Sequence, residues 1–243
     1  MSSSQRRERE KQELRGRILD AARELFAEHG FEAVTMRKIA ERIEYTATAL
    51  YFHFPDKEAL VRELCMHDFL VLGEKMSTLA AHADPVERLG EVGRAYARFA
   101  VSHPQHYRVM FMMPNRSRKE DAAEWHGDPA RDAYAFLKWT VQEAIDSGRF
   151  RPEFADAELA SQVAWAAIHG VVSLQITHGQ DTWIDWRPVE ARIEGIVRSL
   201  VTGMVKPDAL PALAGPTSSE PASRSPSKTP PKKSKKSDAK EQR

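Results

Sequence analysis

Between residues 46 and 57 stand Thr46, Ala47, Thr48, Tyr51, His53 and Lys57, a set of small or hydrogen-bonding side chains spaced to meet a polyanion rather than to run a reaction. If Thr46 caps a short helix, Leu50, Phe52 and Phe54 form its buried side, while Thr46, Ala47, Thr48, Tyr51 and His53 face outward. Groups of that size can come close to a base edge or a phosphate. Lys57 opens the next helix one turn after Tyr51 and His53, so three donors converge where free backbone N–H groups also meet an anion. The plainer alternative is a solvated first-turn lysine beside a packed ring. Ala47 and Thr48 offer only a methyl contact and a hydroxyl, so arginines such as Arg37 must add to any discrimination between bases. No glycine-rich phosphate loop and no Ser, His and Asp arrangement with a motif around it supports an enzyme.

These side chains need elements to hold them. Thr35 is a cap candidate for a preceding helix whose apolar face is Met36, Ile39, Ala40 and Ile43, and Glu44-Tyr45 breaks the pattern before Thr46. Two helices of about two turns joined by three residues are a helix-turn-helix. Neither stands alone, and both must lean on a first helix carrying Leu14, Ile18, Ala21, Ala22, Leu25, Phe26 and His29 on one stripe. Gly30 closes that helix as a left-handed residue, with Phe31 as the apolar residue after it.

The run Thr35-Met36-Arg37-Lys38-Ile39-Ala40-Glu41-Arg42, followed by Leu50-Tyr51-Phe52-His53-Phe54-Pro55-Asp56-Lys57-Glu58-Ala59-Leu60, resembles the DNA-binding domain of the TetR family of transcriptional regulators over about residues 12 to 62. The resemblance implies that the helix from Thr46 enters the major groove and that Thr35, Arg37, Tyr51, His53 and Lys57 grip phosphates or groove edges. It also implies a two-fold homodimer on a palindromic operator, with recognition helices about 34 Å apart. The family usually has Gly-Val where this chain has Glu44-Tyr45, so a left-handed position falls to a residue that disfavours it. The arm of residues 1–11, with Arg6, Arg7, Arg9 and Lys11 among glutamates, has two readings: a reach to the DNA backbone or minor groove, or an ordinary solvated helix start.

Residues 63–206 are helical by period throughout, and prolines mark where helices begin: Asp84-Pro85, His103-Pro104 and Asp128-Pro129 each pair a cap with proline at the first helical position. With Asp56, Asp156 and Pro188 opening others, about nine helices and no sheet make an all-α chain. Tyr96, Phe99, His103, Tyr107, Met110, Phe111, Trp139, Trp165 and His169 lie at helical spacings, with His106, Met113 and Tyr134 among them. Most such residues are core in any fold, but a pocket among them suits an apolar or aromatic small molecule. Trp165-Ala166-Ala167-Ile168-His169-Gly170 resembles the Trp-x-x-x-His-Gly signature of one subgroup of TetR-like C-terminal domains, which implies ligand binding and dimerisation. Gly170, costly inside a helix, suggests close approach of another backbone. Ala160, Val163, Ala164, Ala167, Val171, Ile193, Ile196, Val197 and Leu200 are the expected dimer interface. His103 and His106, three apart, are compatible with a metal ion, but no cysteine or acidic pair at metal-site spacing joins them, and neither metal nor cofactor is expected. Cys65, on the Leu60 and Leu64 side of its helix, is expected to be a buried inert thiol.

The chain has 243 residues, 36 Lys and Arg against 35 Asp and Glu, and a net charge of +1, so bulk charge does not announce a nucleic-acid partner. Residues 58–206 sum to −4, which argues against a second DNA-gripping surface there. One cysteine excludes an intramolecular disulfide framework, and the first residues lack the apolar stretch of a secretory signal, so a cytoplasmic protein with no membrane partner is expected. Residues 207–243 hold seven of the 14 prolines and Lys232-Lys233-Ser234-Lys235-Lys236, the composition of a disordered tail. The expectation is a DNA-binding transcriptional regulator, a ligand-responsive repressor acting as a homodimer on double-stranded DNA. The rival is a helical small-molecule or metal-binding carrier without DNA binding.

Overall fold

The computed structural model describes residues 3–112 and 124–210; the sequence expectations for Met113 and for the tail beyond Leu210 lie outside them. Nine α-helices follow in order among the described residues: α1 (Ser3–His29), α2 (Met36–Arg42), α3 (Ala47–Tyr51), α4 (Lys57–Ser77), α5 (Pro85–Ser102), α6 (Pro104–Tyr107), α7 (Ala133–Asp146), α8 (Ala157–His178) and α9 (Val189–Met204). No sheet forms among them, and one antiparallel bridge pairs Phe150 with Val205.

Side-chain caps set most of the boundaries. Thr35, Thr46, Asp56, Asp84 and Asp156 each accept a hydrogen bond from the first turn of the helix they precede, which satisfies donors that have no partner inside the helix. Gly30 ends α1 at φ 76°, its N–H donating to Phe26 O, and Phe31 closes onto Phe26 with ring centroids 5.8 Å apart. One boundary differs from expectation. Asp128-Pro129 opens a turn rather than a helix, because the Asp128 carbonyl takes the N–H groups of Arg131 and Asp132, and Asp132 becomes the cap of α7.

Two apolar cores are strung on α4. The first gathers Ile18, Ala22, Leu25 and Phe26 of α1, Ile39 and Ala40 of α2, Leu50 of α3, Phe54, and Leu60 and Leu64 of α4. The second packs α5, α7, α8 and α9 around the far end of α4 through Leu72 and Met76. Asp68 sits on α4 between them, fully buried: Arg23 of α1 donates to it at 2.8 Å and His106 Nδ1 of α6 lies 3.0 Å away. Burial would raise this carboxyl, but the hydrogen bonds from His106 and Arg23 outweigh it and hold Asp68 below the usual aspartate range.

Among the described residues nothing approaches the Cβ position of Gly170. A close backbone approach falls instead at Gly73 of α4, where any added Cβ would overlap the Arg131 carbonyl. Helix α8 is long and apolar enough, by length and composition alone, to cross a membrane. It packs against α5, α7 and α9, yet only 28 % of its apolar window is buried in this chain.

Candidate nucleic-acid interface and ligand cavity

The turn between α2 and α3 keeps a standard closed geometry in spite of its residues. Tyr45 N–H donates to Ala40 O at 2.9 Å and Glu44 N–H to Glu41 O at 3.2 Å, the double bond pattern of a Schellman close, with Glu44 in the left-handed position at φ 61°. The strain that the sequence implied is therefore present, about 1–2 kcal/mol for a residue with a Cβ, without any change in the path of the chain. Arg17 of α1 braces the turn from behind, donating to Ile43 O at 3.1 Å and lying over the Tyr45 ring.

Helix α3 is short and half sunk. Leu50 and Phe54 anchor it in the first core, and Thr46, Thr48 and Tyr51 stand exposed. Two expectations for this helix are corrected. Phe52, expected in the core, is 84 % exposed, because the chain leaves the helix at that residue and only Phe54 turns back inside. Ala47, expected to face outward, is half-buried against the first core. Tyr45 and Tyr51 are exposed beside Phe52, so an aromatic rim surrounds the outward hydroxyls.

The other residues of the expected contact set are variously engaged. Thr35 and Thr46 use their hydroxyl oxygens as cap acceptors, from Lys38 and Ala49 N–H, which leaves each hydroxyl free to donate. Arg37 is exposed and pairs with Glu41 one turn on, at 2.8 Å. Lys57 donates to Phe31 O at 2.7 Å and Val34 O at 3.0 Å and lies over the Phe31 ring, tying the start of α4 to the loop after α1. Two of its three N–H groups are thus committed inside the chain, a geometric use that its position in the sequence did not reveal. The His53 ring is half-buried, with Nδ1 enclosed and unpartnered among the described residues; burial, with the charges of Arg15 and Lys11, holds it below the usual histidine range.

At the other end of α4 the second core is hollow. A cavity of about 870 Å³, open mouth included, is walled by Phe69, Leu72 and Met76 of α4, Leu89, Val92 and Tyr96 of α5, Phe111 just after α6, Tyr134 and Leu137 of α7, Trp165 and Ile168 of α8, and Val197, Leu200 and Val201 of α9. Of the residues expected to line a pocket, Tyr96, Phe111 and Trp165 do. The other six lie elsewhere, and their positions follow from packing. Phe99, Tyr107 and Met110 are buried core. His103 stacks on Phe99 with centroids 5.1 Å apart, Trp139 lies under the Arg88 guanidinium at 4.1 Å, and His169 sits behind the wall. The Tyr96 hydroxyl is 2.8 Å and the Tyr107 hydroxyl 3.0 Å from His169 Nδ1, and burial holds that ring below the usual histidine range. The sequence reading missed the whole contribution of α4. Its apolar residues fall on opposite faces because the helix serves two cores, so no single stripe marks the hollow.

The polar groups on the cavity wall are already used. Asp132 accepts from Tyr134 and Ala135 N–H as a cap and from Gly127 N–H at 3.0 Å, and the Tyr134 hydroxyl donates to Glu158 at 2.6 Å.

Four residues of the expected dimer set are corrected by their burial. Ala160, Ala164, Ile193 and Val197 are buried in their own chain, and Ala164, Val197 and Leu200 border the cavity. Val171, Ile196 and Leu200 are half-buried against the second core, Ala167 is half-buried, and Val163 alone of the set is exposed. The apolar stripe named from sequence is the inward one. The outward face of α8 carries Leu159, Val163, Ala166 and Leu174, and that of α9 carries Ala191, Gly195 and Ser199. Cys65 is buried with its Sγ 3.5 Å from Val109 O, and burial pushes its thiol up to about 12. Among the described residues no group of three His, Cys, Asp or Glu side chains is placed to hold a metal ion.

Comparison with known proteins matches residues 18–64 to the family of bacterial regulatory proteins of the tetR type, and residues 89–200 to the tetracyclin repressor-like C-terminal domain. The transcriptional regulator UidR of Escherichia coli strain K12 is 36 % identical over 168 residues, covering 68 % of this chain and 82 % of that protein. The transcriptional repressor KstR2 of Mycolicibacterium smegmatis is 29 % identical over 143 residues, covering 57 % and 68 %. A TetR family transcription regulator from Marinobacter aquaeolei VT8 shares the fold, with a TM-score of 0.63 at 21 % identity over 82 % of this chain and 98 % of that one.

Proposed function

This chain belongs to the TetR family of bacterial regulatory proteins and is a DNA-binding transcriptional regulator; on that premise we propose that it is a cytoplasmic repressor that grips a palindromic operator as a homodimer and lets go when an apolar small molecule fills its cavity. The observation that carries the reading is α3, clamped from behind by Leu50 and Phe54, with Thr48 and Tyr51 outward on a turn of standard shape. In this reading residues 12–62 form the DNA-reading part and 63–206 the effector and dimer part. Thr48 meets base edges, Tyr51, Thr35, Arg37 and Thr46 contact phosphates or groove edges, and His53 and Lys57 hold the end of the helix in place. The uncovered faces of α8 and α9 supply the dimer contact, since a largely unburied apolar helix in a soluble chain needs a partner.

The effector class follows from the cavity wall. A charged group placed there would lose its water and find Asp132, an anion whose acceptor sites are occupied, so the part that enters is uncharged and mostly hydrocarbon. The signal has a short path. Cavity and DNA-reading core share α4, Gly73 fixes its far end against the Arg131 backbone, and Asp68 fastens its middle to α1 through Arg23. A ligand that spreads the cavity must move α4 or break one of these contacts. A full switch from 1:99 to 99:1 needs a preference of about 5.5 kcal/mol for the released form.

Footprinting on the DNA flanking the gene tests the reading directly, with a symmetric protected site as the expected result. On the best site Tyr51→Phe is expected to weaken binding to every duplex, whereas Thr48→Ala changes the ranking of sites. If both variants match the parent in affinity and ranking, α3 does not read the groove.

A further inference from the structure

Among the described residues the first three turns of α1 pack against nothing. Every residue from Ser3 to Glu13 is exposed, and the first fully buried residue of the helix is Ile18. Such a segment keeps its helical form through contacts along its own surface. Arg6 pairs with Glu10 at 2.8 Å, Arg9 with Glu13 at 3.4 Å, and Gln12 donates to Glu8 at 2.8 Å. These contacts engage all three carboxylates of the segment. Arg7 and Lys11, one turn apart on a single stripe, have no ion pair among the described residues.

The stripe runs straight into the DNA-reading unit. Its next member, Arg15, donates to His53 O at 3.0 Å, pairs with Glu63 and covers the Phe54 ring at 4.4 Å. Lys11 lies close enough for its charge to act on the His53 ring. Two residues beyond Arg15, Arg17 reaches Ile43 O at the end of α2 and lies over the Tyr45 ring just before α3. Helix α1 therefore reaches the chain on both sides of α3, the turn before it through Arg17 and the residues after it through Arg15, and its unpacked turns emerge on the His53 side.

We propose that Arg7 and Lys11 form a second contact on duplex DNA, gripping backbone phosphates outside the groove that α3 occupies. The inference rests on the reading of α3 as the groove element and extends it. Twelve residues of helix separate Ser3 from Arg15, about 18 Å, or roughly half a turn of B-DNA, so the stripe can lengthen each half-site on its outer flank. An arginine and a lysine presented this way carry charge and no base code, so the contact adds affinity equally on all sequences. The arrangement also resolves the two readings of the arm: its paired arginines hold a solvated helix, and its unpaired cations are left for the backbone.

The test uses the full chain and compares the parent, the double variant Arg7→Gln/Lys11→Gln, and the control Arg6→Gln/Arg9→Gln, which removes the same charge from paired positions. Binding to an operator duplex is measured across a salt series, on a long duplex and on one trimmed at both flanks. The double variant is expected to lower the slope of log affinity against log salt by about 3.6 for the bound dimer, the contribution of two phosphates per subunit at ~0.9 each, with the control changing it by less than half as much. Trimming should weaken the parent and leave the double variant unchanged. An unaltered slope in the double variant, an equal fall in the control, or equal sensitivity of parent and double variant to trimming overturns the proposal while α3 keeps its role. A parent that binds no duplex at any salt overturns both.

Discussion

At its two ends α4 meets aromatic side chains put to opposite uses. Near Lys57 the rings of Tyr45, Tyr51 and Phe52 stand out in solvent around a few hydroxyls, while near Met76 the rings of Tyr96, Phe111 and Trp165 turn inward around empty space. The first end offers a convex surface whose specificity lies in what protrudes; the second offers a concave one whose specificity lies in what is absent. The same helix forms a wall of both. Rings outside cost the fold little because Leu50 and Phe54 already fill the core behind them, and rings inside border a hollow that the helices around them leave unfilled.

If the two ends are coupled through α4, the largest effect should come from cutting the link between them. Asp68→Ala leaves Arg23 and His106 without their shared buried carboxylate, and a loss of about 3–5 kcal/mol in unfolding free energy is expected by denaturant titration. The pH dependence sharpens this. Asp68 titrates lower in the folded chain than in the unfolded one, so its contribution is complete above about pH 4, the unfolded aspartate value, and is lost as pH falls through the folded value. The variant should lack that part of the acid transition. A variant as stable as the parent at pH 7 would mean that the two cores stand independently.

A smaller effect belongs to the cavity end. Gly73→Ala must push α4 away from the Arg131 carbonyl, at a cost of about 1–3 kcal/mol and a melting temperature lower by about 2–4 °C per kcal/mol. Because the displacement lies on α4, operator affinity should fall with it; unchanged affinity in a destabilised variant would break the coupling. The smallest effect, and of opposite sign, belongs to the DNA end. Glu44→Gly relieves the left-handed strain at φ 61° and should raise stability by at most about 1 kcal/mol, since the freedom of glycine in the unfolded chain offsets part of the gain. Operator affinity should not change, because the turn already has its standard path.

How much was legible in the sequence differs between the same two ends. Around α3 each element is short and capped, and each has one buried side, so Thr35, Thr46, Asp56 and Gly30 announced themselves by residue type. Phe52 was misplaced because a helix period was carried one residue beyond the end of the helix. In the cavity end, α8 and α9 are apolar on more than one side. Period identifies a stripe such as Ala160, Ala164, Ile193 and Val197 without saying whether it meets its own chain or another. Lys57 shows the same limit on a single side chain: its type and position suit a phosphate, but the carbonyls of Phe31 and Val34 come within its reach only through folding.

What the sequence determined by itself is local: where helices start and stop, the strained left-handed turn at Glu44, and the residues that an α3 of five residues can present, because caps, turns and short-range periods act over a few neighbours. Tertiary structure alone decided which apolar face of α8 and α9 is inside, that α4 carries part of the wall of a cavity, that Gly73 meets the Arg131 backbone, and that Asp68 fastens α1 to α4 and α6. Those outcomes depend on which surfaces meet across distances of 38 residues or more, and the pattern of any one helix is the same whichever neighbour it meets.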